Sequence, residues 1–528
     1  MSFRKRPLRK IVRKGARKAT LLALASLGVV ACDKPEIAPR VGCPEFEPLS
    51  LARLDLAGAK AAYMHAETKR NIRYQEALRP GYLVRETRAI VSQSKIDRGN
   101  VCFEQLYEVG RLLFEHEYSF ADGLGRDDAQ TREDPFRKVH EGQLGGPETN
   151  SCTSCHWIGG PAGAGAVQDN SQIGGDGTNI RSADARNPPA LLGSGVVQAL
   201  AQEMSRELQK ERRLAVESAK NSDRDIEVEL VSKGVSFGHI LVSTDGDVDT
   251  SKLKGIDADL VIRPFGWRGE FATLREFTMA STQLHLGIQS DDLLALPASR
   301  SIERGSGPKN DRDNDGYVSE LSAGQLTSLI SYLATLQMPI VAAPDTLHDY
   351  PAPAEGLSPP DARNFYQRFS EGQRLFDTTG CTVCHTPMMV LKDPVFRTTS
   401  EVTGKTYAID LSASGEEPRL TYDEALGGYP VWLFSDMRRH DLGEAAAGQH
   451  PMEDQAPGEY LTRRLWGLAS TPPYFYDGRA PTVDGAIAAH GGEGAFAAEA
   501  FAELSHVDKG SLRIYLLSLR RAPQLVVP

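Results

Sequence analysis

The chain has 528 residues, of which 40% are hydrophobic and 25% are charged, so it is long enough for two or three domains with real cores. Beyond residue 31, no apolar run reaches the length that a transmembrane helix needs. The formal net charge of −10 argues against a nucleic-acid-binding protein, because such proteins usually carry basic surfaces.

The first 31 residues have the composition of an export signal. Nine Lys and Arg residues precede an apolar stretch, Leu21–Ala31, that is too short to span a bilayer. The segment ends in Val-Val-Ala-Cys, which resembles a bacterial lipobox. We therefore predict that Cys32 is lipidated and anchors the mature protein to a membrane in the periplasm. An ordinary signal peptide followed by a chance cysteine is the alternative. Removal of residues 1–31, which contain no acidic residue, would change the net charge from −10 to −19.

The seven cysteines fall into three groups. Cys32 is assigned to the lipid. Cys43 and Cys102 are predicted to form a disulfide, because exported proteins mature in an oxidising compartment. Two unrelated buried thiols are the alternative. The other four cysteines lie in two copies of the pattern C-x-x-C-H, formed by Cys152, Cys155 and His156 and by Cys381, Cys384 and His385.

C-x-x-C-H is the attachment motif of c-type haem. The two thiols add to the two vinyl groups of one porphyrin, and the adjacent histidine binds the iron, so His156 and His385 are the predicted proximal ligands. A single zinc site made from both C-x-x-C pairs is the competing interpretation, but it leaves the histidine after each pair unexplained. A thioredoxin-like redox pair is disfavoured, because no βαβ pattern surrounds either motif.

Matched segments around the two motifs indicate an internal duplication. A helix-like segment precedes each motif, and an aromatic turn followed by a second helix comes after it. The sequence therefore predicts a mainly α fold of two tandem cytochrome c-like domains with long loops. The predicted units are a signal peptide (1–31), a helical extension (32–104), an N-terminal haem domain (105–343) and a C-terminal haem domain (344–528).

A separate insertion is predicted within the first haem domain, at residues 200–262. Residues 200–222 have the pattern of a charged helix. Residues 226–262 alternate between apolar and polar side chains, with a turn at Thr244–Asp247, which predicts a β-hairpin. Five prolines between residues 344 and 360 indicate a linker between the two halves.

Several motifs resemble those of the di-haem oxidoreductase family, which is related to bacterial di-haem cytochrome c peroxidases and to MauG-type enzymes. The resemblance covers about residues 105–525 and is most specific in the second half. The motifs are Arg464–Leu468 (RLWGL), Pro472–Ala480 (PPYFYDGRA) and His490–Glu493 (HGGE), with Asn187–Gly193 (NPPALLG) and Gln283–Gln289 (QLHLGIQ) in the first half.

The resemblance implies two covalently bound haems and a peroxidase-like or thiol oxidoreductase activity. In the peroxidases, one haem stores an electron and the other meets peroxide. Small electron-donor or electron-acceptor proteins would be the partners, and the acidic surface suits basic ones. A pure electron-transfer cytochrome and a MauG-like enzyme that oxidises a partner protein are the alternative functions.

Distal ligands are assigned by position within the same pattern. His490 follows the aromatic turn of the second half, where the peroxidases carry a Met and MauG-like enzymes a Tyr, so it is the predicted ligand opposite His385. Met388 and Met389 follow His385 too closely to compete. His285 holds the corresponding place in the first half and is predicted as its distal ligand, with Met279 as the alternative. An open iron with His285 as a pocket acid or base is a further possibility.

One departure from the peroxidase pattern argues against peroxidase activity. The peroxidases use a Glu for O–O cleavage near this stretch, whereas no carboxylate lies between Phe277 and Ser290.

Residues outside the haem motifs give weaker signals. Asp311, Asp313 and Asp315 match the start of a calcium-binding loop, so Ca²⁺ is predicted there, with a solvated acidic turn as the alternative. Trp157 and Trp466 are candidates for an electron path, although core packing is the more common role of Trp. Arg464 is a candidate partner of a haem propionate. His440-Asp441 resembles a family motif without an assigned role.

Overall fold

The computed structural model describes residues 81–125, 136–141, 146–297, 316–341, 362–413, 418, 420–448 and 457–520. These residues belong to one compact unit. Within the described ranges, no helix is both long and apolar enough to cross a membrane. The signal peptide, Cys32, Cys43, the proline-rich linker and the predicted calcium ligands Asp311, Asp313 and Asp315 lie outside the described residues.

Helices dominate the described residues, with several small antiparallel sheets between them. The helices are α1 Tyr82–Ile90, α2 Gln93–Ile96, α3 Phe103–Glu115, α4 Ser194–Ser222, α5 Leu274–Ser281, α6 Asp291–Ala295, α7 Ala323–Ala334, α8 Ala362–Thr378, α9 Val483–Ala488, α10 Ala495–Glu503 and α11 His506–Leu517. The strands are β1 Ser171–Ile173, β2 Asp184–Arg186, β3 Ile226–Ser232, β4 Val235–Val242, β5 Val248–Leu253, β6 Ile340–Val341, β7 Met389–Leu391, β8 Val395–Thr399, β9 Thr406–Asp410, β10 Tyr429–Val431, β11 Arg439–Asp441, β12 Glu459–Leu461 and β13 Leu519–Arg520.

The helix before each C-x-x-C-H motif crosses a later helix at very short range. In the first half α3 packs on α7, and in the second half α8 packs on α11. A Cβ atom added to Gly110 would lie 2.1 Å from the carbonyl oxygen of Ser328, and one added to Gly372 would lie 2.1 Å from that of Ser511. Only glycine permits backbones to approach this closely. The two crossings are equivalent, as the predicted duplication requires.

The segments after the two motifs are also equivalent. An antiparallel bridge joins Phe265 to Phe271 in the first half, and a similar bridge joins Tyr474 to Ala480 in the second. A threonine N-cap then begins each following helix. The Oγ1 of Thr273 accepts a hydrogen bond from the third residue of α5, and Thr482 does the same for α9. The turn-helix units that carry His285 and His490 therefore share one local architecture.

The insertion of the first half is a long helix, α4, packed on a three-stranded sheet of order β3-β4-β5. The predicted β-hairpin is present, but the sheet is larger than predicted, because Val248–Leu253 forms a third strand at the sheet edge. That strand is polar and largely exposed, so it lacks the apolar alternation that revealed its neighbours. The helix also begins at Ser194, six residues before the predicted start.

The largest core draws on both sides of residue 344. Leu200 and Met204 of α4 belong to the same buried cluster as Met389 of β7 and Phe396 of β8. The Gln198 side chain of α4 also donates a hydrogen bond to the β8 backbone. The two C-x-x-C-H motifs are therefore held in one packed body.

Cys102, at the start of α3, is disulfide-bonded. Its predicted partner, Cys43, lies outside the described residues. The four cysteines of the two C-x-x-C-H motifs are free thiols in this structure.

Candidate functional site

The second C-x-x-C-H motif opens into a cavity of about 260 Å³. A short 3-10 turn at Cys381–Val383 brings both cysteines and His385 to one wall, and the His385 amide donates a hydrogen bond to the Cys381 carbonyl (2.9 Å). His490 lies on the opposite side of the cavity. The lining is largely apolar and includes Phe376, Leu465, Trp466, Tyr474, Phe475 and Ile487.

The separation of His385 and His490 fits two nitrogen ligands of one metal ion. Their ring centroids are 6.4 Å apart. Two nitrogen–metal bonds of about 2 Å each, plus the two half-rings, would give a separation of about 6 Å. The Nδ1 atom of His385 is 3.0 Å from the Phe434 carbonyl oxygen, and that of His490 is 2.8 Å from the Ala486 carbonyl oxygen. These bonds leave both Nε2 atoms available.

Burial keeps both imidazoles neutral. It lowers the pKa of His385 to about 4, and it also lowers the pKa of His490. A neutral imidazole is the form that binds a metal. The predicted pair of ligands is thus brought together in the protonation state that iron binding needs.

Two arginines line the same cavity. Arg463 donates to the Gly266 carbonyl and Arg464 to the Ala190 carbonyl, and each also lies over an indole ring. Burial lowers the pKa of Arg463 to about 10 and that of Arg464 to about 9. Haem carries two carboxylates, which would pair with these cations. The cysteines, the histidine pair, the apolar walls and the arginines together fit a c-type haem.

His440, for which the sequence gave no role, lies at the edge of this cavity. Its Nε2 is 2.8 Å from Asp436 and its Nδ1 is 2.9 Å from Glu493. Burial alone would lower the pKa of His440, but the hydrogen bond with Asp436 and the neighbouring Cys384 outweigh it and raise the pKa to about 10. The resulting imidazolium links the segment after the motif to the loop that follows His490.

The first C-x-x-C-H motif has a similar proximal side. A 3-10 turn at Cys152–Ser154 precedes His156, whose Nδ1 is 3.1 Å from the Gly163 carbonyl oxygen. Burial lowers the pKa of His156 to about 4 and raises the pKa of the Cys152 and Cys155 thiols to about 12. Phe114 lies 6.3 Å from the His156 ring, as Phe376 lies 6.5 Å from that of His385.

The distal side of the first motif differs from that of the second. His285 contacts Glu148 through its Nδ1 atom, and Ser171 Oγ donates a 2.5 Å hydrogen bond to the same carboxylate. His140, which is fully buried, has its Nε2 atom 3.5 Å from the other oxygen of Glu148. Burial would raise the pKa of Glu148, but the charges of His285 and His140 outweigh it and lower the pKa well below its usual value.

The backbone explains how Glu148 reaches His285. The Gly146 amide donates to the Leu284 carbonyl (2.6 Å), and the Glu148 amide donates to the His285 carbonyl (2.9 Å). The strand-like stretch that contains His140 is fixed in turn by a hydrogen bond from its amide to Gln172 (2.9 Å). The neighbouring stretches around His140 and Glu148 therefore meet His285, which lies 137 positions after Glu148.

The stretch Phe277–Ser290 contains no carboxylate, as the sequence shows. Glu148, from the segment just before the first motif, nevertheless contacts His285. Its position four residues before Cys152 was the available signal.

The remaining residues that the sequence singled out lie in the core, at the surface or at the edge of the cavity. Met279, the alternative ligand, is fully buried in the main core, and Met389 is buried there as well. Trp157 is 50% exposed, and its Nε1 donates to Asp169. Trp466 is buried and lines the cavity at the second C-x-x-C-H motif, and its Nε1 donates a hydrogen bond to the Trp432 carbonyl.

Residues 342–519 match the family model described as "Di-haem oxidoreductase, putative peroxidase". The resemblance to the di-haem oxidoreductases is thereby confirmed, and a di-haem redox function is supported. The match contains the second C-x-x-C-H motif, His440 and His490. A comparison with curated proteins found no match.

Among solved structures, the chain resembles a MauG-like protein associated with microbial copper homeostasis. The two are 15% identical, and the alignment covers 54% of this chain and 77% of that protein, with a TM-score of 0.25.

Proposed function

We propose that this protein is an exported di-haem c-type oxidoreductase that reduces peroxide. In this proposal Cys381, Cys384, His385 and His490 would hold the C-terminal haem, the electron store. Cys152, Cys155 and His156 would hold the N-terminal haem, and His285 and Glu148 would act on the substrate beside it. When bound, the haems supply iron centres that exchange single electrons and bind peroxide.

The difference between the two distal sides is the observation that carries this proposal. His490 faces His385 directly with its Nδ1 bonded to a backbone carbonyl, as expected of a permanent ligand. His285 instead contacts the carboxylate of Glu148 and lies beside His140, which is buried. This arrangement suits proton transfer, and it favours the interpretation of His285 as a pocket acid or base over that of a ligand.

The reduction of hydrogen peroxide to two waters consumes two protons and two electrons. The pKa of Glu148 is lowered, so its carboxylate would be free to accept a proton from bound peroxide. It can then return a proton to the departing oxygen. His285 contacts Glu148, and its side chain is 30% exposed, so it can resupply the proton from solvent.

Mass spectrometry of the mature protein tests the cofactor assignment. We expect the mass of the chain plus two covalently attached haems. A chain without haem, or with zinc in place of haem, would contradict it.

Spectroscopy and turnover test the division of labour between the sites. The oxidised or half-reduced protein should contain one low-spin and one high-spin haem, and the half-reduced form should consume hydrogen peroxide. If both haems stay low-spin in every redox state and peroxide is not consumed, the protein is an electron-transfer cytochrome.

A further inference from the structure

The group formed by His140, Glu148 and His285 contains buried polar atoms that the fold leaves without hydrogen bonds. Among the described residues, neither ring nitrogen of His140 has a hydrogen-bond partner, and neither does one carboxylate oxygen of Glu148. The His140 side chain is 0% exposed and that of Glu148 is 4% exposed. Unpaired buried groups are rare in native proteins and indicate a missing water or ion.

We propose that His140, Glu148 and His285 bind a divalent transition-metal cation, at a site separate from the two haem irons. One ligand atom from each residue lies within 4.8 Å of the others. Two imidazoles and one carboxylate form a ligand set that suits zinc, iron and related metals, and it is less suited to calcium or magnesium, which prefer oxygen ligands.

The spacing agrees with metal coordination. The Nε2 atom of His140 lies 3.5 Å from the Glu148 oxygen, which is long for a hydrogen bond. A tetrahedral ion with bonds of about 2 Å separates adjacent ligand atoms by about 3.3 Å. The Nδ1 atom of His285 contacts Glu148 directly. A cation would take the place of that contact, and small side-chain shifts would complete the three-residue site.

Supporting contacts and an entry path are also present. The Ser171 hydroxyl donates to Glu148 and would orient its carboxylate toward the ion. The His140 backbone is fixed by its hydrogen bond to Gln172. The His285 side chain is 30% exposed, so a cation would enter from its side and bind against the two deeper ligands.

This site shares Glu148 and His285 with the proposed peroxide chemistry. A bound cation would occupy the lone pairs that the proton transfers need, so the metal-loaded protein should be inhibited. The proposal therefore concerns regulation of the same pocket. The expected inhibition by the metal rests on the proposed function, whereas the binding of the metal does not.

Zinc binding to the full-length, haem-loaded protein tests the site. Equilibrium dialysis against Zn²⁺ should give one tightly bound ion per chain, and the zinc X-ray absorption edge should show only nitrogen and oxygen ligands. His140→Ala should abolish this ion, and Glu148→Gln should weaken binding by at least about tenfold. His239→Ala, at an exposed histidine of β4, is the matched control and should bind as the parent protein does.

Zinc binding that is equal in the parent protein and in both site variants, or absent from all of them, would overturn the proposal. Haem content and circular dichroism of each variant identify misfolding, and the Glu148→Gln variant changes no side-chain volume. The dialysis experiment contains no peroxide, so its result stands even if the protein does not turn over peroxide. Peroxide turnover measured in the presence of a chelator tests the proposed function in the absence of the metal.

Discussion

At the scale of single residues, the proposed ligand His490 would set the potential of the C-terminal haem. Imidazole stabilises ferric iron better than a thioether does, so ligation by His385 and His490 would give a low-spin haem of low potential. His490→Met should raise the potential of that haem. His490→Ala should open the site and produce a high-spin species. Redox titration followed by absorption spectroscopy measures both.

The N-terminal haem is the internal control for these variants, because its spectrum should not change. If both variants keep the parent spectrum and potential, His490 is not the ligand, and the alignment of this part of the chain with the peroxidase pattern fails.

Glu148 is the residue on which the proton chemistry depends. Glu148→Gln preserves shape but removes the base, so peroxide turnover should fall by about 10²–10⁴-fold, the usual contribution of a positioned acid or base. The spectrum of the C-terminal haem should stay the same. Stopped-flow measurement of the half-reduced protein with peroxide gives the rate.

Glu141→Gln is the matched control for charge, since Glu141 is nearby but its side chain is 57% exposed. Its turnover should be that of the parent protein. Equal rates for the Glu148 and Glu141 variants would exclude Glu148 as the base.

At the scale of helices and strands, the two glycine crossings hold the helix pairs that frame each motif. Gly372→Ala would place a methyl group 2.1 Å from the Ser511 carbonyl oxygen, so α8 and α11 must separate. Such overpacking costs about 1–3 kcal/mol. Phe376 of α8 contacts the His385 ring, so the shift should also disturb the proximal histidine. Thermal unfolding and the haem spectrum measure the two effects.

Gly485→Ala, within α9, provides the comparison. Its added Cβ would have its nearest neighbour, the Thr482 hydroxyl, at 3.2 Å, where a side chain can adjust. A melting temperature lowered equally by both substitutions would show that the close crossing has no special role.

At the scale of the whole molecule, the net charge gives a prediction about the proposed electron-transfer partner. Removal of the proposed signal peptide, residues 1–31, would leave a net charge of −19, which would favour basic partner proteins. Electron exchange with a basic cytochrome should therefore slow by about tenfold or more as salt is raised from low to physiological strength, because salt screens the attraction. A neutral small-molecule reductant should show little change. A rate that rises with salt would contradict an acidic docking surface.

What the sequence determined by itself is local. Two cysteines and a histidine within five residues define each haem motif, and no distant contact is needed to recognise them. Gly110 and Gly372 are the first residues of two similar segments, Gly110–Glu115 and Gly372–Asp377. The duplication is therefore also visible in the sequence. His490 could be singled out because it follows the aromatic turn and helix of the second half in chain order.

Only the tertiary structure decided which groups surround the distal side of each motif. Glu148 and His285 are 137 positions apart, and backbone hydrogen bonds join the loop of Glu148 to the π-helix Thr282–Leu286 that contains His285. Neither segment has a periodicity that the sequence reveals. His440 of β11 likewise meets Glu493, 53 positions further along the chain. Contacts of this kind depend on how the packed body brings loops together, and residue spacing along the chain does not encode them.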